Sequence, residues 1–306
     1  MLIKYLPPLT RPIATMIGLT AVLLWGSNVG LIRTVTADFG AIGGAALIYS
    51  IATIILFFTI GLPKLSAVPK IYLLWGSILF VACELCFSLS IGFAQNSQQA
   101  IEVAMVNYLW PTFTLIFAII FNQVKSNLLI IPGFILALVG ICWVLGGGQG
   151  LDVGQMLNNV QQNPLSYSLA LSAALIWAAY CSVTLKTAKG SNLVTLFFGL
   201  ATLVLWMKYF MIGGHPLDFN SDNILNLVMA AAALGLGYGV WNIGIIYGNI
   251  TILAGASYFT PVLSAFFAAL ILNTSLSLAF WQGVVMVTAG AILCWLSTHL
   301  SKAHTE

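Results

Sequence analysis

Two carboxylates, Glu84 and Glu102, stand inside long apolar runs that hold no opposite charge. An acidic side chain at the centre of a bilayer costs about 2.5–3.5 kcal/mol on insertion scales. Each is therefore expected to face a cavity or a partner, or to carry a proton. Glu84 lies roughly 20 Å along its helix at 1.5 Å per residue, near the bilayer centre. It could serve as countercharge to a ligand amine or as a proton acceptor; the competing reading is a structural pair. Glu102 comes roughly 9 Å beyond Asn96 on the same rise, so a helix-start carboxylate favoured by the dipole competes equally with a pathway role. Enzymatic chemistry has little to work with. His215, His299 and His304 fall in loops or at the tail, so no buried His/carboxylate metal set is expected. No Gly-rich phosphate loop ends in Lys-Ser/Thr, which leaves ATP driving unsupported. Cys83 and Cys86 formally make a CxxC pair, but on an apolar helix two small packing residues are the better reading. Neither an enzyme nor a cofactor is expected.

Aromatic and amide groups accompany the carboxylates at helical spacing. Of the nine tryptophans, Trp75, Trp143, Trp206, Trp281 and Trp295 come near the ends of apolar stretches, where interfacial anchoring is the default. Trp25, Trp110 and Trp177 come near the centres, where an indole N–H needs an acceptor; Trp241 is intermediate. Asn28 follows Trp25 by three, Tyr180 follows Trp177 by three, Asn107 precedes Trp110 by three, and Tyr238 precedes Trp241 by three and Asn242 by four. Tyr108 and Tyr258 each precede a proline, Pro111 or Pro261, by three. Singly, each of these is more readily packing than ligand. Together they suggest a wet, aromatic, mildly acidic chamber. The prolines remove a helix donor and displace a carbonyl, which makes them hinges or static kinks.

The elements that carry these residues must be membrane helices. Sixty per cent of the 306 residues are hydrophobic, 6% are charged and mean hydropathy is +1.04, whereas a soluble domain carries about a quarter charged residues. Ten stretches reach the roughly 20 apolar residues that a helix needs to cross a bilayer: 13–32, 41–61, 71–93, 98–122, 128–147, 165–185, 192–212, 224–247, 250–272 and 278–298. Hydrocarbon offers no partner for an open peptide group, so these are helices, and barrel-strand alternation is absent. The spans place Lys4, Arg11, Lys64, Lys70, Lys125, Lys186, Lys189 and Lys302 on one side. Arg33, Lys208, Asp38, Asp152, Asp218 and Asp222 fall on the other. Both termini are then cytoplasmic, and the net charge of +3 is no argument for nucleic acid.

The chain also repeats itself. Asn107-Tyr108-Leu109-Trp110-Pro111 returns as Ser257-Tyr258-Phe259-Thr260-Pro261, and Gly133 and Gly140 return as Gly283 and Gly290. Upstream, Leu24-Trp25-Gly26 is matched by Ile176-Trp177-Ala178. Residues 1–150 and 163–306, joined by a polar stretch from Gly146 to Asn163, each hold five spans. An odd number makes the second copy enter from the opposite face. The expected architecture is all-α: ten transmembrane helices as two inverted five-helix repeats around a central cavity, with a midplane site.

Several runs resemble the drug/metabolite transporter (EamA-like) superfamily, and within it the bacterial aromatic amino-acid exporters. They include Val29-Gly30-Leu31-Ile32-Arg33, Gln99-Ala100-Ile101-Glu102-Val103, Val106 to Pro111, Cys142 to Gly147, Ile176 to Cys181, Ser257 to Ser264 and Phe280-Trp281-Gln282-Gly283. The resemblance implies a bacterial inner-membrane exporter of aromatic and other amino acids working by alternating access. A multidrug exporter of lipophilic cations such as paraquat is the second expectation; a non-transporting scaffold or a channel is the third. The substrate-site candidates are Trp25, Asn28, Glu84, Glu102, Asn107, Tyr108, Trp110, Trp177, Tyr180, Tyr238, Trp241, Asn242 and Tyr258. Small amino acids and the lipid bilayer are the expected partners. Proton coupling, oligomeric state and the preferred amino acid stay open.

Overall fold

The computed structural model describes residues 10–214 and 216–303. Lys4, His215 and His304 lie outside them, and the side chain of Lys302 is not described. Among the described residues thirteen α-helices run in order: α1 (Arg11–Phe39), α2 (Ala41–Thr59), α3 (Lys70–Gly92), α4 (Ser97–Asn107), α5 (Trp110–Asn122), α6 (Ile130–Leu145), α7 (Val153–Gln162), α8 (Pro164–Thr187), α9 (Val194–Met211), α10 (Ser221–Tyr247), α11 (Ile250–Ser257), α12 (Thr260–Ile271) and α13 (Leu278–Ala303). Within those residues eight apolar segments of 18 or more residues are long enough to cross a membrane, α4 and α5 forming one of them; α6 and α12 are shorter apolar helices. Local signals set several of the starts. The Asn96 side chain accepts from the Gln99 amide at 2.8 Å, Asn163 caps α8 with Pro164 in its first turn, and Asn220 and Asn223 form a reciprocal capping box on α10. Such caps satisfy amides that a helix start leaves open.

Two expectations about continuity change. The polar join after α6 contains a ten-residue helix, α7. The fourth and ninth apolar stretches are each interrupted, at Tyr108–Leu109 and at Tyr258–Phe259, where a single kinked helix had been expected.

The chain forms two compact units, Met1–Val68 with Gly190–Asn273, and Pro69–Lys189 with Thr274–Glu306. Each draws helices from both sequence halves. In the first unit α1 crosses α10 at Gly18 and Gly244, where a Cβ built on either residue would come 2.7 Å from the other's Cα. α9 lies antiparallel to α2, joined by Thr53 and Thr202 hydroxyls at 3.2 Å and by the Trp206 indole donating to Ser50 Oγ at 2.9 Å. Trp206 is therefore tied to its neighbour helix as well as being near a helix end.

In the second unit α3 runs antiparallel to α8, with Tyr72 and Tyr180 hydroxyls 3.3 Å apart and Cys83 Sγ 3.4 Å from the Ala173 carbonyl. That contact gives Cys83 a packing role, and both it and Cys86 are free thiols. The glycines spaced by seven form the α6–α13 seam. A Cβ on Gly140 would meet the Gly283 carbonyl at 2.9 Å, and one on Gly290 would meet the Gly133 carbonyl at 2.6 Å. Gly133 thus faces Gly290 and Gly140 faces Gly283, which makes the two helices antiparallel. Lipid supplies no hydrophobic drive to hold helices together, so close backbone approach over small residues takes its place.

Charges sort by end within each unit. Lys70 opens α3, Lys125 follows α5, and Lys186, in the last turn of α8, donates to the Phe121 carbonyl near the end of α5. With Lys189 they gather at one end of the second unit. In the first unit Arg11 and Lys64 occupy one end, while Asp38, Lys208, Asp218 and Asp222 occupy the other, where Phe39 meets Phe219 at 5.2 Å.

Candidate functional site

The best-formed cluster in the second unit grows from the break between α4 and α5. α4 stops because the Tyr108 amide is shared between the Ala104 and Met105 carbonyls at 3.2 and 3.0 Å and the Leu109 amide turns back three residues to Val106 at 3.2 Å, and Pro111 has no amide with which to continue the ladder. The chain resumes at Trp110, whose ring meets Trp177 edge-on at 6.0 Å. Tyr180, one turn further along α8, lies 5.2 Å from Trp177, and Phe80 of α3 lies 6.1 Å from Trp177 and 5.3 Å from Tyr180. Edge-to-face pairs of this kind are worth about 0.5–1.5 kcal/mol beyond the area they bury. Trp110 and Trp177 are half-buried, and Asn107 and Tyr108 are buried beside the break. The Trp177 Nε1 atom is enclosed without a hydrogen-bond acceptor, and an unmet buried donor costs about 1–3 kcal/mol.

The same break recurs 150 residues on. Tyr258 and Phe259 amides bond to Gly255 and Ala256 carbonyls at 3.4 and 3.0 Å. The position of Trp110 is taken by Thr260, whose hydroxyl donates to the Ser257 carbonyl at 2.6 Å. Ser257 precedes Pro261 by four, so this hydroxyl replaces the amide that proline lacks. One break presents an indole; the other repairs itself with a hydroxyl.

The first unit holds a second aromatic group. Trp25 lies 5.3 Å from Tyr238 and 5.0 Å from Trp241, and Phe198 packs edge-on to Tyr238 at 5.2 Å. Gly237 makes room, since a Cβ there would come 2.7 Å from Trp25 Nε1. That Nε1 has no acceptor, and neither has the buried Asn28 Oδ1 a donor. Asn242 is half-buried on the same stretch of α10, and Tyr258 is buried at its helix break.

The carboxylates diverge. Glu84, 6% exposed, follows Phe80 by one turn on the buried face of α3. Glu102 is held by protein donors on both oxygens: Tyr167 OH reaches Oε2 at 3.0 Å and Gln98 Nε2 reaches Oε1 at 3.0 Å. It sits in the second turn of α4, so the helix-start reading gives way to an α4–α8 tie. Below it, Gln99 Oε1 accepts from the Gln95 amide and from Asn163 Nδ2, each at 2.8 Å.

Sequence reasoning missed Tyr72, Phe80, Tyr167 and Phe198. A signal existed for the first two: Tyr72, Gly76, Phe80, Glu84 and Ser88 recur every four residues and are all buried, a single helix face. Nothing in the spacing of Tyr167 pointed to Glu102.

Helices interrupted at repeated places, with aromatic clusters and open indole donors beside them, are the build of a polytopic membrane transporter. An EamA-like transporter family model matches residues 164–296. The aromatic amino acid exporter YddG of Escherichia coli K12 is 52% identical over 290 residues, covering 95% of this chain and 99% of that protein. Its counterpart from Salmonella typhimurium is 51% identical over the same coverage, and one from Ancylobacter novellus is 25% identical over 84% of this chain and 88% of its own. The chain belongs to the YddG family of EamA-like transporters. A crystal structure at 21% identity shares the fold, with a TM-score of 0.65 over 94% of this chain and 99% of its own.

Proposed function

We propose that the protein exports aromatic amino acids across the bacterial inner membrane by alternating access. The observation that carries this reading is identity of 52% along nearly the whole chain to a protein named as an aromatic amino acid exporter. The aromatic cluster at the α4–α5 break supports it. Trp110, Trp177, Tyr180 and Phe80 offer edges and faces to an aromatic side chain, and the Trp177 N–H suits a carboxylate. In the first unit Trp25, Tyr238 and Trp241 offer the same chemistry, with Asn28 and Asn242 for the zwitterion. An ammonium over such a ring gains about 0.5–2 kcal/mol, and Glu84 lies one turn from Phe80. Tyr108, Asn107 and Tyr258 flank the breaks, where Pro111 and Pro261 act as hinges. Glu102, with both oxygens occupied, is better suited to tying α4 to α8 than to binding a cation, which weakens the multidrug reading.

The ten apolar stretches are read as two inverted repeats, 1–150 and 163–306, with both termini cytoplasmic. Supporting this are the hydrogen-bond pattern repeated at an interval of 150 residues and the antiparallel seam between α6 and α13. Lysines gathered at one end of the second unit agree with the positive-inside bias. The test is flux in proteoliposomes: saturable movement of tryptophan, phenylalanine and tyrosine is expected, and movement of permanent cations alone would overturn the reading.

A further inference from the structure

The segment between α6 and α8 was expected to be a polar linker, yet it folds as α7 with its side chains sorted three ways. At about 100° per residue, Val153, Met156, Leu157 and Val160 share one arc, and Gln155, Asn158, Asn159, Gln161 and Gln162 occupy the remainder. One flank is held to the protein. Asn159 Nδ2 donates to the Leu145 carbonyl at 3.0 Å, and the Gln155 amide lies over Gly147, where a Cβ would come 2.5 Å from its nitrogen. Met156, Asn159 and Val160 are half-buried along that flank. Beside it Val153 and Leu157 stand bare, 56% and 52% exposed. Roughly opposite them on the wheel, Asn158 and Gln162 are exposed amides. A water-surrounded helix would not leave two of its four apolar side chains uncovered on one side and its amides on the other.

The chain itself says what covers them. α7 is strung between the ends of two apolar membrane helices, Leu145 of α6 and Pro164 of α8, so it cannot leave the membrane boundary. Leu165, on the first turn of α8, is likewise 52% exposed. No charged residue lies within α7, and its N-terminus is closed by Asp152, which accepts from the Gln155 amide at 3.0 Å. Attraction to charged headgroups is therefore not needed; apolar area alone provides the contact. We propose that α7 is an interfacial helix lying in the plane of one leaflet, with Val153 and Leu157 among the acyl chains and Asn158 and Gln162 in the aqueous headgroup layer. The partner of this surface is the lipid leaflet.

Adjacent residues on the helix provide the test. Leu157→Cys and Asn158→Cys are each spin-labelled in the full-length protein and reconstituted into phosphatidylethanolamine/phosphatidylglycerol vesicles, with the unsubstituted protein giving the background of the native thiols. Collision with apolar oxygen and with a water-soluble nickel chelate is read by power saturation. The oxygen-to-nickel ratio should be several-fold higher at 157 than at 158. Equal ratios, or a nickel-favoured 157, would overturn the proposal. So would protection of 157 from both reagents with spin–spin broadening, which would mean a second copy of the chain covers this face. If Leu157→Cys does not fold, Val153→Cys against Gln162→Cys, about 180° apart on the wheel, carries the same contrast.

Discussion

Replacing Gly283 by alanine tests the α6–α13 seam, which joins an element from each sequence half. The added Cβ would fall 2.7 Å from Val144 Cγ2, 2.8 Å from the Gly140 carbonyl and 3.0 Å from the Val144 amide. Ordinary contact begins at 3.4 Å. Two of the three obstacles are backbone atoms that no rotamer change can move, so the helices must part by about 0.6 Å at that crossing (3.4 − 2.8). A radial gap of about 0.5–1 Å forfeits a quarter to a half of each dispersion contact along the seam. Overpacking of this sort costs about 1–3 kcal/mol. Alanine also gains about 0.8–1 kcal/mol of helix propensity over glycine, and Gly199→Ala on α9 reports that gain alone, because its Cβ would meet only Thr53 Cγ2, at 3.7 Å. Unfolding in detergent should therefore show Gly283→Ala destabilised relative to Gly199→Ala. Gly140→Ala clashes across the same crossing, at 2.9 Å from the Gly283 carbonyl. One separation relieves both, so the double variant should cost clearly less than the sum. Stability equal to that of Gly199→Ala, or full additivity, would refute the close antiparallel seam.

Three further outcomes follow from the helix breaks and the polar ties. Thr260→Val removes the hydroxyl that serves the Ser257 carbonyl and should destabilise by about 1–3 kcal/mol, with Thr260→Ser restoring most of it in the same unfolding measurement. Tyr167→Phe leaves Glu102 short of one donor and should cost a similar amount, about 1–3 kcal/mol, with a smaller effect if Glu102 is replaced by Leu first, which removes the acceptor; a double-mutant cycle reads the coupling. Trp177→Phe keeps a ring but loses the N–H, so tryptophan flux should fall to a level between that of the parent and that of Trp177→Ala, with tryptamine, which lacks the carboxylate, less affected than tryptophan.

Much of the helical layout was legible because hydrocarbon leaves few choices: apolar length fixes helices, and proline and asparagine mark their ends. Asn96, Asn163 and Pro164 do what their types suggest. The pairing of Trp177 with Tyr180 and of Tyr238 with Trp241 follows from their spacing on one helix face. What spacing could not supply was the partner across the gap. Glu102 read equally as a helix-start carboxylate or a pathway residue, because its acceptor role depends on Tyr167, 65 residues away on α8. The break at Tyr108–Leu109 read as a kink because proline announces a missing donor without saying whether the preceding amides will stay in register or turn back. α7 was overlooked because its four apolar residues are outnumbered by amides, although their spacing at 153, 156, 157 and 160 is that of an amphipathic helix. Compact units that mix the two halves were hidden as well, since repeats in sequence carry no record of which helices exchange neighbours.

Purified protein in proteoliposomes, loaded with labelled tryptophan, phenylalanine or tyrosine, gives the most direct measurement of the central claim. Saturable flux of all three is expected, weakened about tenfold or more by Trp110→Ala or Trp177→Ala, each of which removes about 1.4 kcal/mol or more of ring contact, and little changed by Trp295→Ala, whose ring packs on His299 at 4.5 Å. No substrate-dependent flux, or equal losses in all three variants, would contradict the account.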